Sequence, residues 1–194
     1  MNRLRKISSY SPRGTSAWSV RAAPADSSSP DHEGQRASPP AANAIAATHR
    51  HPDRNLIIVD LGTATTIDVV RAGREFVGGI ILPGLRIQME ALEKNTARLP
   101  NVEIVPAAEL VGRSTVECIQ SGLYFGNRAA VEGLTRQIRE RVFPGQAALV
   151  LATGGFSRLF EGDRLFDVID PDLVLVGLER ALALNTGSGP SRPS

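Results

Sequence analysis

Leu56-Ile57-Ile58-Val59-Asp60-Leu61-Gly62-Thr63-Ala64-Thr65-Thr66-Ile67-Asp68-Val69-Val70 decides how the rest of the chain reads. An apolar run ends in a carboxylate, turns through a glycine flanked by hydroxyls and returns as a second run of branched residues. This is the pattern of a β-hairpin with a polar tip. Gly62 lets backbone approach a ligand closely, and Thr63, Thr65 and Thr66 offer hydroxyl and amide donors. Asp60 can hold a cation that neutralises phosphate oxygens. The same turn also occurs in hairpins that bind nothing, so the tip alone leaves both readings open.

Working outward, Leu56 to Asp60 and Thr65 to Arg71 are predicted as strands. A turn at Ala72-Gly73 leads to a third strand over Glu75 to Leu82, giving an antiparallel meander. Gly78-Gly79 weakens that third strand unless something needs close backbone approach, and Pro83-Gly84 ends it. Leu85 to Lys94 reads as a helix. Val102 to Val105 is a candidate strand confined between Pro100 and Pro106. Ser114 and Glu117 form a capping box that starts a long helix running to about Val142. Its apolar stripe is Val116, Ile119, Leu123, Val131, Leu134, Ile138 and Val142. Gly122, Gly126 and Gly133 lie within this helix and predict a face where another backbone comes close, either the sheet or a helix of a second copy. Ala147 to Ala152 is a buried strand ending at Thr153-Gly154-Gly155. A last apolar segment opens at Leu173 and becomes a helix ending near Asn185.

Composition divides the chain of 194 residues unevenly. Residues 1–50 hold seven Arg or Lys, three acids and five prolines, with little apolar periodicity. Residues 1–54 are therefore expected to be a disordered leader, 55–186 the folded domain and 187–194 a frayed Gly/Ser/Pro-rich tail. The overall net charge of +2 is a basic leader attached to a slightly acidic body, and no basic helix with interleaved aromatics accompanies it. Nucleic acid is not an expected partner. The first 25 residues carry Arg3, Arg5, Lys6, Arg13 and Arg21 without an acid, as organelle transit peptides do, but Pro12 and Pro24 interrupt any helix there. The single Cys118 excludes an internal disulfide framework and a multi-cysteine metal site, and fits a reducing cytoplasm. No apolar run approaches the roughly 20 residues that span a bilayer.

Six elements in order resemble the type III pantothenate kinases, relatives of the Bvg accessory factor proteins within the acetate/sugar kinase, Hsp70 and actin superfamily. They are Asp60-Leu61-Gly62-Thr63-Ala64-Thr65-Thr66-Ile67-Asp68, Gly78-Gly79-Ile80-Ile81-Leu82-Pro83-Gly84-Leu85, Thr96-Ala97-Arg98-Leu99-Pro100, Gly112-Arg113-Ser114-Thr115, Ala152-Thr153-Gly154-Gly155, and Asp172-Leu173-Val174-Leu175-Val176-Gly177-Leu178. The implied fold is α/β: a single ribonuclease-H-like half with a three-stranded antiparallel meander, helices and further strands. The implied activity is ATP-dependent phosphorylation of pantothenate at its 4′-hydroxyl, the entry to coenzyme A, with Mg2+ and a monovalent cation, K+ or NH4+.

Carried over by residue, the resemblance implies that Asp60 holds the monovalent cation and that Thr63 contacts ATP. Gly62 and Thr65 belong to the same phosphate turn, Gly154 and Gly155 lie against the adenosine, and Thr115 contacts pantothenate. The implied assembly is a homodimer. Ordinary helix-start chemistry at Thr115, and a plain strand-to-helix turn at Gly154-Gly155, remain open beside these roles.

The chain also departs from the family. An Asp-x-Gly-Asn-Thr turn, the family's first phosphate motif, is absent from residues 1–54. The family's general base is an aspartate in Gly-x-Asp-Arg, about twenty residues before the second phosphate motif. The nearest text here, Pro52-Asp53-Arg54, lacks the glycine and lies seven residues before Asp60, so no catalytic residue is assigned. The expectation is a kinase-like chain that is truncated and inactive alone. The alternative is a non-catalytic dimeric accessory protein built on the Ser114 to Val142 helix. A sugar kinase or polyphosphate hydrolase is disfavoured by Gly112-Arg113-Ser114-Thr115 and by the Gly78-Gly79-Ile80-Ile81-Leu82-Pro83-Gly84 element.

Overall fold

The computed structural model describes residues 19–20, 39–96 and 99–186. The elements follow the order β1 (Ser19–Val20), α1 (Pro39–Arg50), β2 (Asn55–Leu61), β3 (Ala64–Arg71), β4 (Glu75–Pro83), α2 (Leu85–Asn95), α3 (Thr115–Val142), β5 (Ala148–Thr153), β6 (Val168–Ile169) and α4 (Leu173–Thr186). A 3-10 turn at Ser157–Phe160 joins the last strands.

One six-stranded sheet has the order β1-β4-β3-β2-β5-β6. β2, β3 and β4 form the predicted antiparallel meander, while β5 runs parallel to β2 and β6 parallel to β5. Leaving out the two-residue edge strand β1, this is the ribonuclease-H-like arrangement, and the chain is mixed α/β as expected.

Alternation along β2 sorts side chains onto two faces, because successive residues of a strand point to opposite sides. Ile57, Val59 and Leu61 join Ile67, Val69 and Val150 in the larger core, which α2 and α3 cover through Leu85, Met89, Ile119, Leu123, Val131 and Ile138. Leu56 and Ile58 join Val70 and Leu151 in a second core covered by α1 and α4, through Ala44, Ala46, Ala47 and Leu173. Each fully buried Leu or Ile of this kind contributes about 1.5–3 kcal/mol. β2 therefore carries apolar residues on both faces, which is why it reads as an unbroken run.

α3 starts as its capping box predicts. Ser114 Oγ accepts the Glu117 amide at 3.3 Å, and Glu117 Oε2 accepts the Arg113 amide at 2.7 Å. α2 is tied to α3 by reciprocal amide bonds between Gln88 and Asn127, both 2.9 Å.

Three readings are corrected. Folding does not begin at Asn55: α1 already occupies Pro39–Arg50, and Ala42, Asn43, Ala44, Ala46, Ala47 and Thr48 in it are buried. Alanine is the best helix former but gives a weak hydrophobic period, so this helix was hidden in a Pro- and Ser-rich text. Of the rest of the expected leader, Ser19–Val20 and residues 51–54 are described, and the tail at 187–194 lies outside the described residues. Val102 to Val105 is irregular rather than a strand, as the flanking prolines would impose. An added Cβ at Gly122, Gly126 or Gly133 would meet nothing within 4 Å, so no backbone among the described residues packs there. The close helix contact is elsewhere: a Cβ on Gly177 of α4 would lie 1.9 Å from the Ala42 carbonyl oxygen of α1. β6 is an element that no sequence pattern marked, a two-residue strand too short to carry a period.

Candidate functional site

At one end of the sheet three glycine-bearing turns meet. The β2–β3 tip, Gly62-Thr63, lies against Gly84 at the start of α2, where an added Cβ would stand 2.2 Å from the Thr63 oxygen and 2.5 Å from the Gly62 oxygen. The turn after β5 closes on the same place. Phe156 N donates to Leu61 O at 3.0 Å, and a Cβ on Gly154 would lie 2.4 Å from Asp60 Oδ1. Gly154 adopts φ +88°, a left-handed conformation that glycine tolerates and other residues resist. Ser157 fixes this turn by donating from its hydroxyl to Gly154 O at 2.7 Å.

Asp60 is the carboxylate at the centre of this junction. The registers Asp60↔Thr66 and Asp60↔Thr153 place it on the α1/α4 face of the sheet. Its Oδ2 accepts from Asn43 Nδ2 of α1 at 2.9 Å, and Oδ1 faces the Gly62 and Gly154 turns. Asp68 lies on the same face one pair further along β3, opposite Ile58 and Gly79. It is buried, and burial first and the Asp60 charge second push its carboxyl up from 3.8 to about 6. A Cβ on Gly79 would stand 2.9 Å from Asp68 Oδ1, so the glycine in β4 makes room for this carboxylate. Neither acid forms an ion pair with a described Lys, Arg or His.

The structure brings together Asp60, Gly62, Thr63 and Gly154, four of the residues singled out from sequence. Thr63 is exposed at the tip, where a ligand could reach it. Thr65 is placed differently: its register with Leu61 puts it on the opposite face, and its hydroxyl is buried without a partner among the described residues. Its side chain is thus turned away from the face that carries Asp60. Gly155 is exposed, with nothing within 4 Å of an added Cβ. Thr115 is the exposed first residue of α3, and no hydrogen bond among the described residues joins it to the junction. Asp53 precedes β2 at the far end of the strand from Asp60. Sequence reasoning missed Asn43, which lay in a segment read as disordered, and Asp68, although an acid inside an apolar strand is a visible signal.

Residues 40–137 match the family model described as type III pantothenate kinase. A type III pantothenate kinase from Legionella pneumophila (strain Corby) is 50% identical over 145 residues, covering 75% of this chain and 57% of that protein. Type III pantothenate kinase 1 of Francisella tularensis subsp. holarctica (strain OSU18) is 40% identical over 144 residues, covering 74% of this chain and 56% of that one. The chain thus spans little more than half the length of these relatives. A Campylobacter jejuni structure of the Baf family is 23% identical, with a TM-score of 0.48, covering 81% of this chain and 68% of that one.

Proposed function

The chain belongs to the type III pantothenate kinase family, and from that premise we propose that it carries the second-phosphate and cation side of an ATP:pantothenate phosphotransferase site. The observation that supports this best is the junction itself, where Gly154 and Gly62 clear the space beside Asp60 Oδ1 and Thr63 stands exposed. Backbone amides and a hydroxyl at such a turn suit phosphate oxygens. In this reading Gly62 and Thr63 receive ATP, Gly154 and Gly155 line the adenosine side and Thr115 receives pantothenate.

The residues present fit a cation. Among the described residues, Asp60 and Asp68 pair with no Lys, Arg or His, and buried oxygens of Asn43 and Asp68 have no hydrogen-bond partner. Asp60 is the residue that would hold a monovalent cation, K+ or NH4+. Such an ion, with the Mg2+ that accompanies ATP, would supply positive charge against phosphoryl oxygens. The side chains themselves position the phosphate turn and keep its backbone fixed.

A base is not part of this proposal. Twenty residues before Asp60 the sequence reads Ser38-Pro39-Pro40-Ala41, at the start of α1, with no carboxylate. Phosphoryl transfer needs both substrates and the nucleophile positioned at once. This chain alone therefore binds ATP and does not turn it over. Calorimetry with ATP in potassium buffer, beside a coupled assay for pantothenate-dependent ADP formation, tests both halves. Heat of binding without turnover is expected. Turnover by the isolated chain would overturn the inactive reading, and absence of ATP binding would overturn the half-site.

A dimeric accessory protein is the second reading. It is favoured by the small, open face of α3 at Gly122, Gly126 and Gly133. Sedimentation equilibrium showing a monomer at high concentration would remove it. A reducing cytoplasm belongs to both readings.

A further inference from the structure

Asn43 is the only described residue that hydrogen-bonds the Asp60 carboxylate, and it does so with half of its side chain. The other half, Oδ1, is buried with no partner among the described residues, in a residue that is 0% exposed. Amide nitrogen and oxygen are about 2.2 Å apart in one planar group, so this oxygen lies within about 5 Å of Asp60 Oδ2. Asp68 adds a second orphan. Its Oδ2 is also buried and without a partner among the described residues, in a residue 4% exposed, and Asp68 stands on the same sheet face as Asp60. Diagonal neighbours on one face of an antiparallel pair are about 7 Å apart at Cα, a gap that two carboxylate arms can bridge. Each unpaired buried oxygen costs about 1–3 kcal/mol, and no described residue offsets that cost at Asn43 Oδ1 or Asp68 Oδ2.

We infer that Asn43 Oδ1 and Asp68 Oδ2 complete, with Asp60, an oxygen-only site for one weakly hydrated monovalent cation. The inference rests on the proposed cation role of Asp60 and extends it by two residues, one of them on α1. All three donors are hard oxygens, with no sulfur or imidazole among them, which suits a hard cation. Burial selects among hard cations. Mg2+ keeps most of its water and needs room for it, whereas a larger monovalent ion sheds water readily and can sit directly against Asn43. Asn43 then has two tasks, orienting Asp60 through its amide hydrogen and touching the ion through its oxygen. Gly79 has one, keeping β4 clear of the Asp68 carboxylate.

The test is thermal unfolding of the full chain in a choline-salt buffer of constant ionic strength, titrated with K+, Na+ or Mg2+. Wild type is compared with Asn43→Leu, Asp68→Asn and Asp60→Asn, and far-ultraviolet circular dichroism checks that each is folded. Asp68→Asn keeps the shape and removes a buried charge, so it remains informative if Asn43→Leu does not fold. Expected is a saturable rise in Tm with K+, absent in Asp60→Asn. The half-saturating K+ concentration should rise at least about tenfold in Asn43→Leu and Asp68→Asn. Folded variants that saturate at the wild-type concentration would sink the inference and leave Asp60 as the sole side-chain ligand. A K+ response that survives Asp60→Asn would sink the Asp60 reading as well, as would a wild-type chain with no response. Mg2+ acting as strongly as K+ would overturn the assignment to a weakly hydrated ion.

Discussion

Gly154 turns over Asp60 so closely that a Cβ at that position would stand 2.4 Å from Asp60 Oδ1 and 2.8 Å from Leu61 O. The end of β5 and the end of β2 are in this way locked to one another, and the side chain expected to face a cation is held by a neighbour that has no side chain.

Gly154→Ala meets two obstacles, the left-handed φ of +88° and the contact with Asp60 and Leu61. A loss of about 1–3 kcal/mol in urea unfolding is expected, with weaker ATP binding by calorimetry. Gly155→Ala is the internal control. It has open space and should stay within about 0.5 kcal/mol of wild type. Equal effects at the two glycines would show that the close approach does not matter.

The two helical glycine classes should part in the same assay. Gly177→Ala pushes against the Ala42 carbonyl of α1, and α1 carries Asn43, so stability should fall by more than 1 kcal/mol and K+ binding should weaken with it. Gly122→Ala has open space in an exposed turn of α3 and should raise stability by about 0.5–1 kcal/mol. A destabilising Gly122→Ala would instead point to a partner on that face.

Ser114→Ala removes the one side-chain cap of α3 and strands the Glu117 amide, at a cost of about 1 kcal/mol. Thr115 is next to it and exposed, so Thr115→Ala should leave stability unchanged while weakening pantothenate binding. Chemical denaturation paired with pantothenate calorimetry separates the two. If Thr115→Ala loses stability and no binding, Thr115 is a helix-start residue and nothing more.

The meander was legible because period-two alternation, a Gly-containing tip and Pro83-Gly84 all mark the same boundaries. α3 was legible from one capping box. α1 was not, since a helix that packs through alanines against Gly177 uses close approach instead of bulky side chains. At the site, Asp60 and Thr63 could be read from the turn, while the face of each threonine could not. Thr65 and Thr66 differ by one residue and so lie on opposite sides of β3, a distinction that register alone supplies. Asn43 was beyond reach for a related reason: its partner Asp60 is seventeen residues away, across a helix–strand connection that sequence pattern did not show.

Asp68 gives the chain an acid-side signature. Its folded-state carboxyl lies at about 6 against an ordinary 3.8, with burial the larger cause and Asp60 the smaller. Below about pH 4 the group is protonated whether the chain is folded or not, and it costs nothing. Between about pH 4 and 6 the folded chain holds a proton that the unfolded chain has released, so stability falls as pH rises. Above about pH 6 the loss is complete, on the order of 2–3 kcal/mol. Asp68→Asn removes this dependence while keeping the side chain's size. Without added K+, the variant should therefore gain most over wild type at pH 7.5 and least at pH 4, measured as the difference in Tm. Parallel Tm profiles for the two chains across that range would mean that Asp68 is solvated in the folded state. A bound cation opposes the effect, since it favours the ionised carboxylate. Saturating K+ should accordingly flatten the wild-type profile and leave that of Asp68→Asn almost unmoved.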